Sequence, residues 1–173
     1  TLSGQKEHFS VTNGKVRMYV CGVTPYGPSH IGHAMCSVVF DVARRYLEFK
    51  GYEVLHIQNF TDIDDKMIQA AAEADISTGD LADRNIRSYL EEMDSLNVLR
   101  AHFYPRATQE MAKILEMIES LVEKKFAYVV GGDVYFRVMN DRNYGKLSRQ
   151  SLEAIQVGAR VEINENKENP IDF

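Results

Sequence analysis

The sequence predicts an α/β fold: a βαβ unit of a parallel sheet, followed by a second region built from a helix and a β-hairpin. Three observations predict it. Two runs rich in strand formers, Lys15 to Val20 and Tyr52 to Phe60, bracket one long helical stretch, the arrangement of a βαβ unit. Between Thr108 and Lys125, apolar residues recur at i, i+3, i+4 and i+7, the period of an amphipathic helix. Gly131-Gly132 separates two short apolar runs, a two-residue hairpin signal.

Residues 1 to 14 read as an irregular lead-in ending in the turn pair Asn13-Gly14. Lys15 to Val20 forms a short strand, closed by Cys21-Gly22. The loop Val23 to Ser29, with two prolines and a glycine, excludes helix. Ser29 is placed to cap a helix from about Ile31 to Lys50, stopped by Gly51. Tyr52 to Phe60 is the second strand, followed by a helix over Asp62 to Ala74. A further helix, capped by Thr78 or Asp80, runs to about Asn97. Pro105 punctuates the chain. Met111, Ile114, Leu115, Ile118, Leu121 and Val122 then mark the apolar face of the next helix and are expected in a core. Ala127 to Val130 and Asp133 to Val138 make the hairpin, which breaks the βα rhythm and places a boundary near residue 105. Glu162 to Phe173 is polar and charged. Neither repeats nor low-complexity tracts occur.

Composition narrows the class. The 173 residues are 45% hydrophobic and 26% charged, as in globular domains. A net charge of −5 argues against a general nucleic-acid binder while leaving room for a local basic patch. The longest apolar runs are too short to span a bilayer, and no signal-peptide pattern opens the chain. Two cysteines give no disulfide framework and point to a reducing cytoplasm. The chain opens on Thr1 and closes on Phe173, and is read as part of something longer.

The strongest chemical signal is His30-Ile31-Gly32-His33, where a strand gives way to a helix. Parallel sheets bind ligands beyond the carboxyl ends of their strands. Exposed amide N–H groups and the helix dipole favour phosphate there. Imidazoles three residues apart share a face, and a histidine donor strengthens its contact as charge builds on a phosphoryl oxygen. Gly32 leaves the backbone open to approach. The bland alternative is a pair of capping or surface histidines. The preceding strand, the proline–glycine loop and the following helix favour nucleotide binding by Val23, Thr24, Pro25, Tyr26, Gly27, Pro28, Ser29, His30, Ile31, Gly32 and His33. Cys21, taken alone, reads as a small buried hydrophobe, and Cys36 as packing on the first helix. Thr61 or Asp62 reads as a helix cap, and Asp62, Asp64 and Asp65, pointing different ways on one helix, do not make a metal cluster.

Tyr19-Val20-Cys21-Gly22-Val23-Thr24-Pro25-Tyr26 with His30-Ile31-Gly32-His33 resembles the opening of cysteinyl-tRNA synthetases. The likeness continues through Asn59 to Lys66, Pro105 to Thr108, Tyr144 to Ser148, Gly158 to Val161 and Asn169 to Phe173. It implies a Rossmann-type catalytic core over residues 1–104, then part of a connective insertion over residues 105–173. It implies His30 and His33 as catalytic residues, Thr61 beside the bound amino acid, and Cys21 as one zinc ligand. The companion Cys, His and Glu would come from later in such chains; the only other cysteine here is Cys36. Zinc prefers a soft thiolate to the hydroxyl of serine, which supplies a discrimination that shape alone does not. Implied substrates are ATP with Mg, L-cysteine and tRNA(Cys), in a monomer without a membrane partner. The lysine-rich second signature and the anticodon-binding region are missing, so this piece alone is expected to be inactive. Pro25 and Gly27 stand where many members have valine and aspartate. The Thr-Pro-Tyr variant also resembles the cysteine–aminosugar ligases of mycothiol synthesis. Two other readings stay open. One is a nucleotidylyltransferase with a similar histidine signature, which gives no reason for Cys21; the other is a non-catalytic paralogue or assembly module.

Overall fold

The computed structural model describes residues 2–151 and 167–173; the Gly158 to Val161 block and residues 162–166 of the charged stretch lie outside them. Two compact units result, Phe9–Met111 and Thr1–His8 with Ala112–Phe173. In the first, β1 (Lys15–Val23) pairs in parallel with β2 (Glu53–Phe60), joined by α1 (Ile31–Phe49). The expected βαβ unit is present. After β2 come α2 (Asp65–Glu73) and α3 (Thr78–Ser95). The chain then returns beside β2 in an extended segment that the sequence reading missed. Gln58 donates its N–H to the Phe103 carbonyl at 3.1 Å and Phe60 to that of Pro105 at 2.9 Å. Parallel bridges form at Phe103 and Arg106. Proline at 105 has no N–H to donate but keeps its carbonyl, so it serves on one side of a ladder.

Local chemistry sets the element ends. α1 is capped by His30 rather than Ser29, and α3 by Ser77, whose hydroxyl accepts the Asp80 N–H at 3.0 Å. α2 starts three residues later than expected. Asp64 caps it, accepting the Met67 N–H at 2.8 Å. Neither Thr61 nor Asp62 caps anything: Asp62 is buried and its carboxylate accepts the Thr108 N–H at 3.0 Å and hydroxyl at 2.6 Å. α1 closes in a Schellman turn, with Tyr52 N–H on the Leu47 carbonyl and Gly51 at φ 88°. Glycine is the residue for that left-handed position.

The core of this unit is the α2–α3 pair against the end of β2: Phe60, Met67, Ala71, Leu81, Ile86, Tyr89 and Met93 are buried. α1 sits the other way round from an ordinary amphipathic helix. Its buried residues are Ser37, Asp41 and Arg44. Ser37 and Tyr89 hydroxyls meet at 2.9 Å, Asp41 accepts the Leu99 N–H at 3.0 Å, and Arg44 donates to the Arg100 carbonyl at 2.8 Å. Ile31, Met35, Val38, Val42, Tyr46 and Phe49 form an exposed apolar stripe. Cys36 is exposed too, so it is not the packing residue expected.

In the second unit, β3 (Ala127–Val130) and β4 (Asp133–Phe136) make the predicted antiparallel hairpin. Gly131 and Gly132 carry φ 62° and 94°, as a primed hairpin turn requires. Buried Asp172 joins it to the chain end, accepting from the Tyr128 hydroxyl and the Val138 N–H, both at 3.0 Å. α4 (Met111–Glu123) forms where its period predicts, but its stripe is not a core: no α4 residue is buried, and Met111, Ile114 and Leu115 are exposed. Periodicity identifies the apolar face; what covers that face depends on distant sequence. No described helix is long and apolar enough to cross a membrane.

His56 is 5% exposed and neither ring nitrogen has a hydrogen-bond partner among the described residues. Burial, then the Arg44 charge and His102, hold its pKa below the ordinary 6.5, with Asp41 opposing. The unfolded chain therefore binds the proton more readily, and stability rises with pH across that window. It is complete above pH 6.5 and is lost as pH falls toward the folded-state pKa. The urea midpoint should drop between about pH 7.5 and 5.5, and drop less in His56→Gln. Equal drops would place the titration elsewhere.

Candidate active site

The candidate site lies wholly within the Phe9–Met111 unit, at the carboxyl ends of β1 and β2, where open α/β sheets bind ligands. β1 does not stop at Val20. It continues to Val23 through a change of register: Val20 lies opposite Gln58 and Val23 opposite Phe60. Three steps along β1 thus match two along β2, a β-bulge carrying Cys21 and Gly22. Cys21 follows buried Val20 on the outward face of β1, and its free thiol is exposed, so the packing reading of this cysteine fails. A Cβ on Gly22 would lie 1.5 Å from the Asn59 carbonyl oxygen, so no larger residue fits without moving backbone.

The loop after the bulge is pinned at Pro25. Its ring is buried, and its carbonyl accepts the Asn85 side-chain amide at 2.7 Å. Asn85 lies on the buried face of α3 with Ala82, Ile86 and Tyr89. An amide on an otherwise apolar helix face needs a partner, a readable signal that sequence reasoning passed over. Tyr26 donates its N–H to the Thr24 carbonyl at 2.9 Å, and its ring is exposed with the Lys66 ammonium 5.5 Å from the centroid. Val23, Thr24, Gly27 and Ser29 are half-buried and Pro28 is exposed. Space beside Gly27 is open.

His30 and His33 come together as expected, but on different terms. Their rings stack with centroids 3.9 Å apart. His30 Nδ1 accepts the Gly32 N–H at 3.1 Å, and His33 Nδ1 accepts the His30 N–H at 3.2 Å. Two of the amides expected to be free for phosphate are thus occupied by the histidines themselves. Acceptance at both Nδ1 atoms places the proton of each neutral ring on Nε2. The pair therefore offers Nε2–H donors rather than a row of bare amides. Gly32 has its own reason here: a Cβ would meet the His30 ring at 2.9 Å, blocking the cap. Ile31 is 85% exposed and contributes backbone only. Burial, then the neighbouring His30 charge, lower the His33 pKa below 6.5, with Glu92 opposing, so His33 is a neutral donor at neutral pH.

On the β2 side, Thr61 is half-buried and donates its N–H to the Val23 carbonyl at 3.1 Å. That bond holds the Thr61 turn against the loop leaving β1.

A family model described as the tRNA synthetases class I (C) catalytic domain matches residues 7–173. The chain belongs to the class I tRNA synthetases. It is 55% identical over 174 residues to a cysteine–tRNA ligase of Dehalococcoides mccartyi, covering 100% of this chain and 38% of that protein. Against the cysteine–tRNA ligase of Caldicellulosiruptor saccharolyticus the identity is 51%, covering 100% and 37%. The chain thus spans well under half the length of these curated relatives. In fold it is similar to a Mycobacterium tuberculosis methionyl-tRNA synthetase in complex with methionyl-adenylate, with TM-score 0.54, 22% identity, and 70% of this chain and 29% of that one covered. A mixed α/β core with a parallel sheet is shared by this class I synthetase chain and that structure.

Membership raises the question of zinc. A protein zinc site takes three or four ligands, and no group of three or more His, Cys, Asp or Glu with such geometry exists among the described residues. Cys21 alone does not fit the ion. The 173-residue chain should retain no stoichiometric zinc after dialysis against a mild chelator; metal analysis giving one zinc per chain would contradict this. Gly22→Ala should lower stability by about 3 kcal/mol or more, because backbone rather than a side chain must move. A denaturant midpoint near that of the parent would show the bulge to be pliable.

Proposed function

We propose that this chain is the part of a cysteine–tRNA ligase that holds the nucleotide and the carboxyl end of the amino acid. The whole protein would activate cysteine with ATP as cysteinyl-adenylate, release pyrophosphate, and esterify the end of tRNA(Cys). The observation that carries this reading is the stacked His30–His33 pair, with both Nδ1 atoms tied to backbone amides. Donors fixed before the ligand arrives cost no reorganisation as charge develops. In-line attack by a carboxylate on the α-phosphorus spreads charge over phosphoryl oxygens. Nε2–H groups from His30 and His33 would meet that charge, with the ATP lying along Val23 to Ser29 and Mg as its counter-ion. Neutral imidazole suits the task, since it donates without a proton being lost or gained.

The amino acid would sit at the bulge. Cys21 presents one thiol there on β1, and Thr61 one hydroxyl just past the end of β2. Names of relatives at 51% and 55% identity, and matches that cover the whole chain, support cysteine over other amino acids. Residues 105–173 stand in this reading as part of a connective insertion, built on α4 and the hairpin. A cytoplasmic monomer remains the proposal for setting and assembly.

The test is exchange of labelled pyrophosphate into ATP by the whole protein. Exchange should require cysteine, and cysteine should then appear on tRNA. An aminosugar acceptor in place of tRNA would favour the related ligase, and no exchange with any amino acid would leave a non-catalytic module. His33→Ala should reduce kcat about a hundredfold, with a smaller change in the KM for ATP. An unchanged kcat with a raised KM would make His33 a ground-state contact.

A further inference from the structure

A bulge leaves ladder groups without their regular partners. At Cys21–Gly22 the Gly22 N–H is the group concerned, and it is met by a side chain: Asn59 Oδ1 accepts it at 2.8 Å. Asn59 sits on β2 between buried Gln58 and Phe60, directly across from the bulge. Its carbonyl oxygen is the atom that excludes a Cβ at Gly22. Backbone and side chain of one residue thus shape the bulge beside Cys21.

The other end of the same amide faces Thr61. With Oδ1 committed to the Gly22 N–H, the Nδ2 group is the donor left, and it reaches Thr61 Oγ1 at 3.4 Å. A hydroxyl that accepts on its oxygen keeps its own hydrogen for another acceptor. The Thr61 backbone is already fixed by its N–H bond to Val23. The hydroxyl hydrogen is therefore aimed away from Asn59, available to an acceptor group of a ligand such as a carboxylate or a carbonyl oxygen.

We infer that Asn59 is a positioning residue for the amino-acid half of the site: it holds the Cys21–Gly22 bulge and polarises Thr61 as a donor. The inference rests on the reading that cysteine is the substrate. Among the described residues, the side-chain hydrogen bonds of Asn59 go to Gly22 and Thr61, neither of which lies in the Val23–His33 stretch assigned to the nucleotide. Loss of the Nδ2 contact to Thr61 alone, with the tie to Gly22 kept, should consequently act on the amino acid and leave the nucleotide alone.

Asn59→Asp separates the two jobs. An aspartate oxygen still accepts the Gly22 N–H, so the bulge keeps its tie. The second oxygen cannot donate, and instead draws the Thr61 hydroxyl hydrogen toward itself, reversing its polarity. In the whole protein, Asn59→Asp should weaken cysteine about tenfold, in KM by pyrophosphate exchange and in Kd by equilibrium dialysis with labelled cysteine. The KM for ATP should change less than about twofold. In a Thr61→Val background the same substitution should have little further effect, because the hydroxyl through which it acts is gone. Asn59→Ser, which retains one hydroxyl but cannot span both partners, serves as a second variant if the aspartate fails to fold.

Equal losses for cysteine and ATP, or full additivity with Thr61→Val, would overturn the inference and reduce Asn59 to strand packing. So would wild-type cysteine affinity in both variants. If the parent protein exchanges pyrophosphate without cysteine, or not at all, the substrate reading falls and takes this inference with it. That result appears before any variant is made, so the two failures are distinguishable.

Discussion

The change of register between Val20 and Val23 is the constraint on which the site depends. Parallel ladders have evenly spaced bonds, and β1 keeps the ordinary alternation through buried Val20 and exposed Cys21. Inserting one residue breaks that alternation at the sheet's ligand-facing edge. The break needs three things. It needs a residue without a Cβ at Gly22, an acceptor for the freed N–H, and a new direction for the chain. Asn59 supplies the acceptor at 2.8 Å, and Pro25, held through its carbonyl by Asn85 at 2.7 Å, fixes the direction. Everything beyond it, including the point at which α1 begins, inherits that geometry.

The inverted α1 follows a related logic. Charged and hydroxyl groups are buried only with partners, and Ser37, Asp41 and Arg44 each find one on α3 or in the segment at residues 97–102. That segment crosses beside α1 on its way to pair with β2, and its peptide groups, not only its side chains, are what α1 meets. A polar helix face is the appropriate surface against irregular backbone, whose N–H and C=O groups must also be satisfied. Gln58 extends the same network from β2, donating to the Tyr89 hydroxyl at 3.1 Å. The result fixes α1 laterally by hydrogen bonds while the apolar core forms elsewhere, between α2, α3 and Phe60.

These two features explain what could and could not be read from the sequence. Elements defined by local chemistry were legible: the β1–α1–β2 unit, the Gly51 stop, the Gly131-Gly132 turn, and the histidine signature at a helix start. Features defined by contacts between distant residues were not. The strand-like return at residues 101–106 has no alternating pattern and contains a proline, and only its partner β2 makes it extended. Helix caps slipped by one to three residues because Ser29, Asp62 and Thr78 are as good caps as His30, Asp64 and Ser77 by type. Asp62 is the instructive case: its pairing with Thr108, 46 residues away, outbids any local role. The stripe of α4 was legible as a stripe, but whether it is buried is a property of the rest of the molecule. Cys21 was named from resemblance; its exposure follows the alternation of β1, and the bulge beside it came only from the pairing of two strands.

The histidine pair adds a physical point about how such a site is kept ready. A helix start presents unpaired amides that bind either a ligand or a local cap. Here the caps are the imidazoles themselves, so the ligand-free helix is satisfied without a serine or aspartate whose oxygen would compete with phosphate. An acceptor side chain at that position would repel an anion; an imidazole accepting through Nδ1 presents N–H on its far side. One ring therefore neutralises the helix end and still offers a donor outward. The 3.9 Å stack of His30 on His33 holds the two rings against each other at the helix start. Burial and the His30 charge both push the His33 pKa down, which favours the neutral form of the His33 ring. The glycine between them is thus required by the ring of His30 folding back, a constraint internal to the chain and independent of what the site binds.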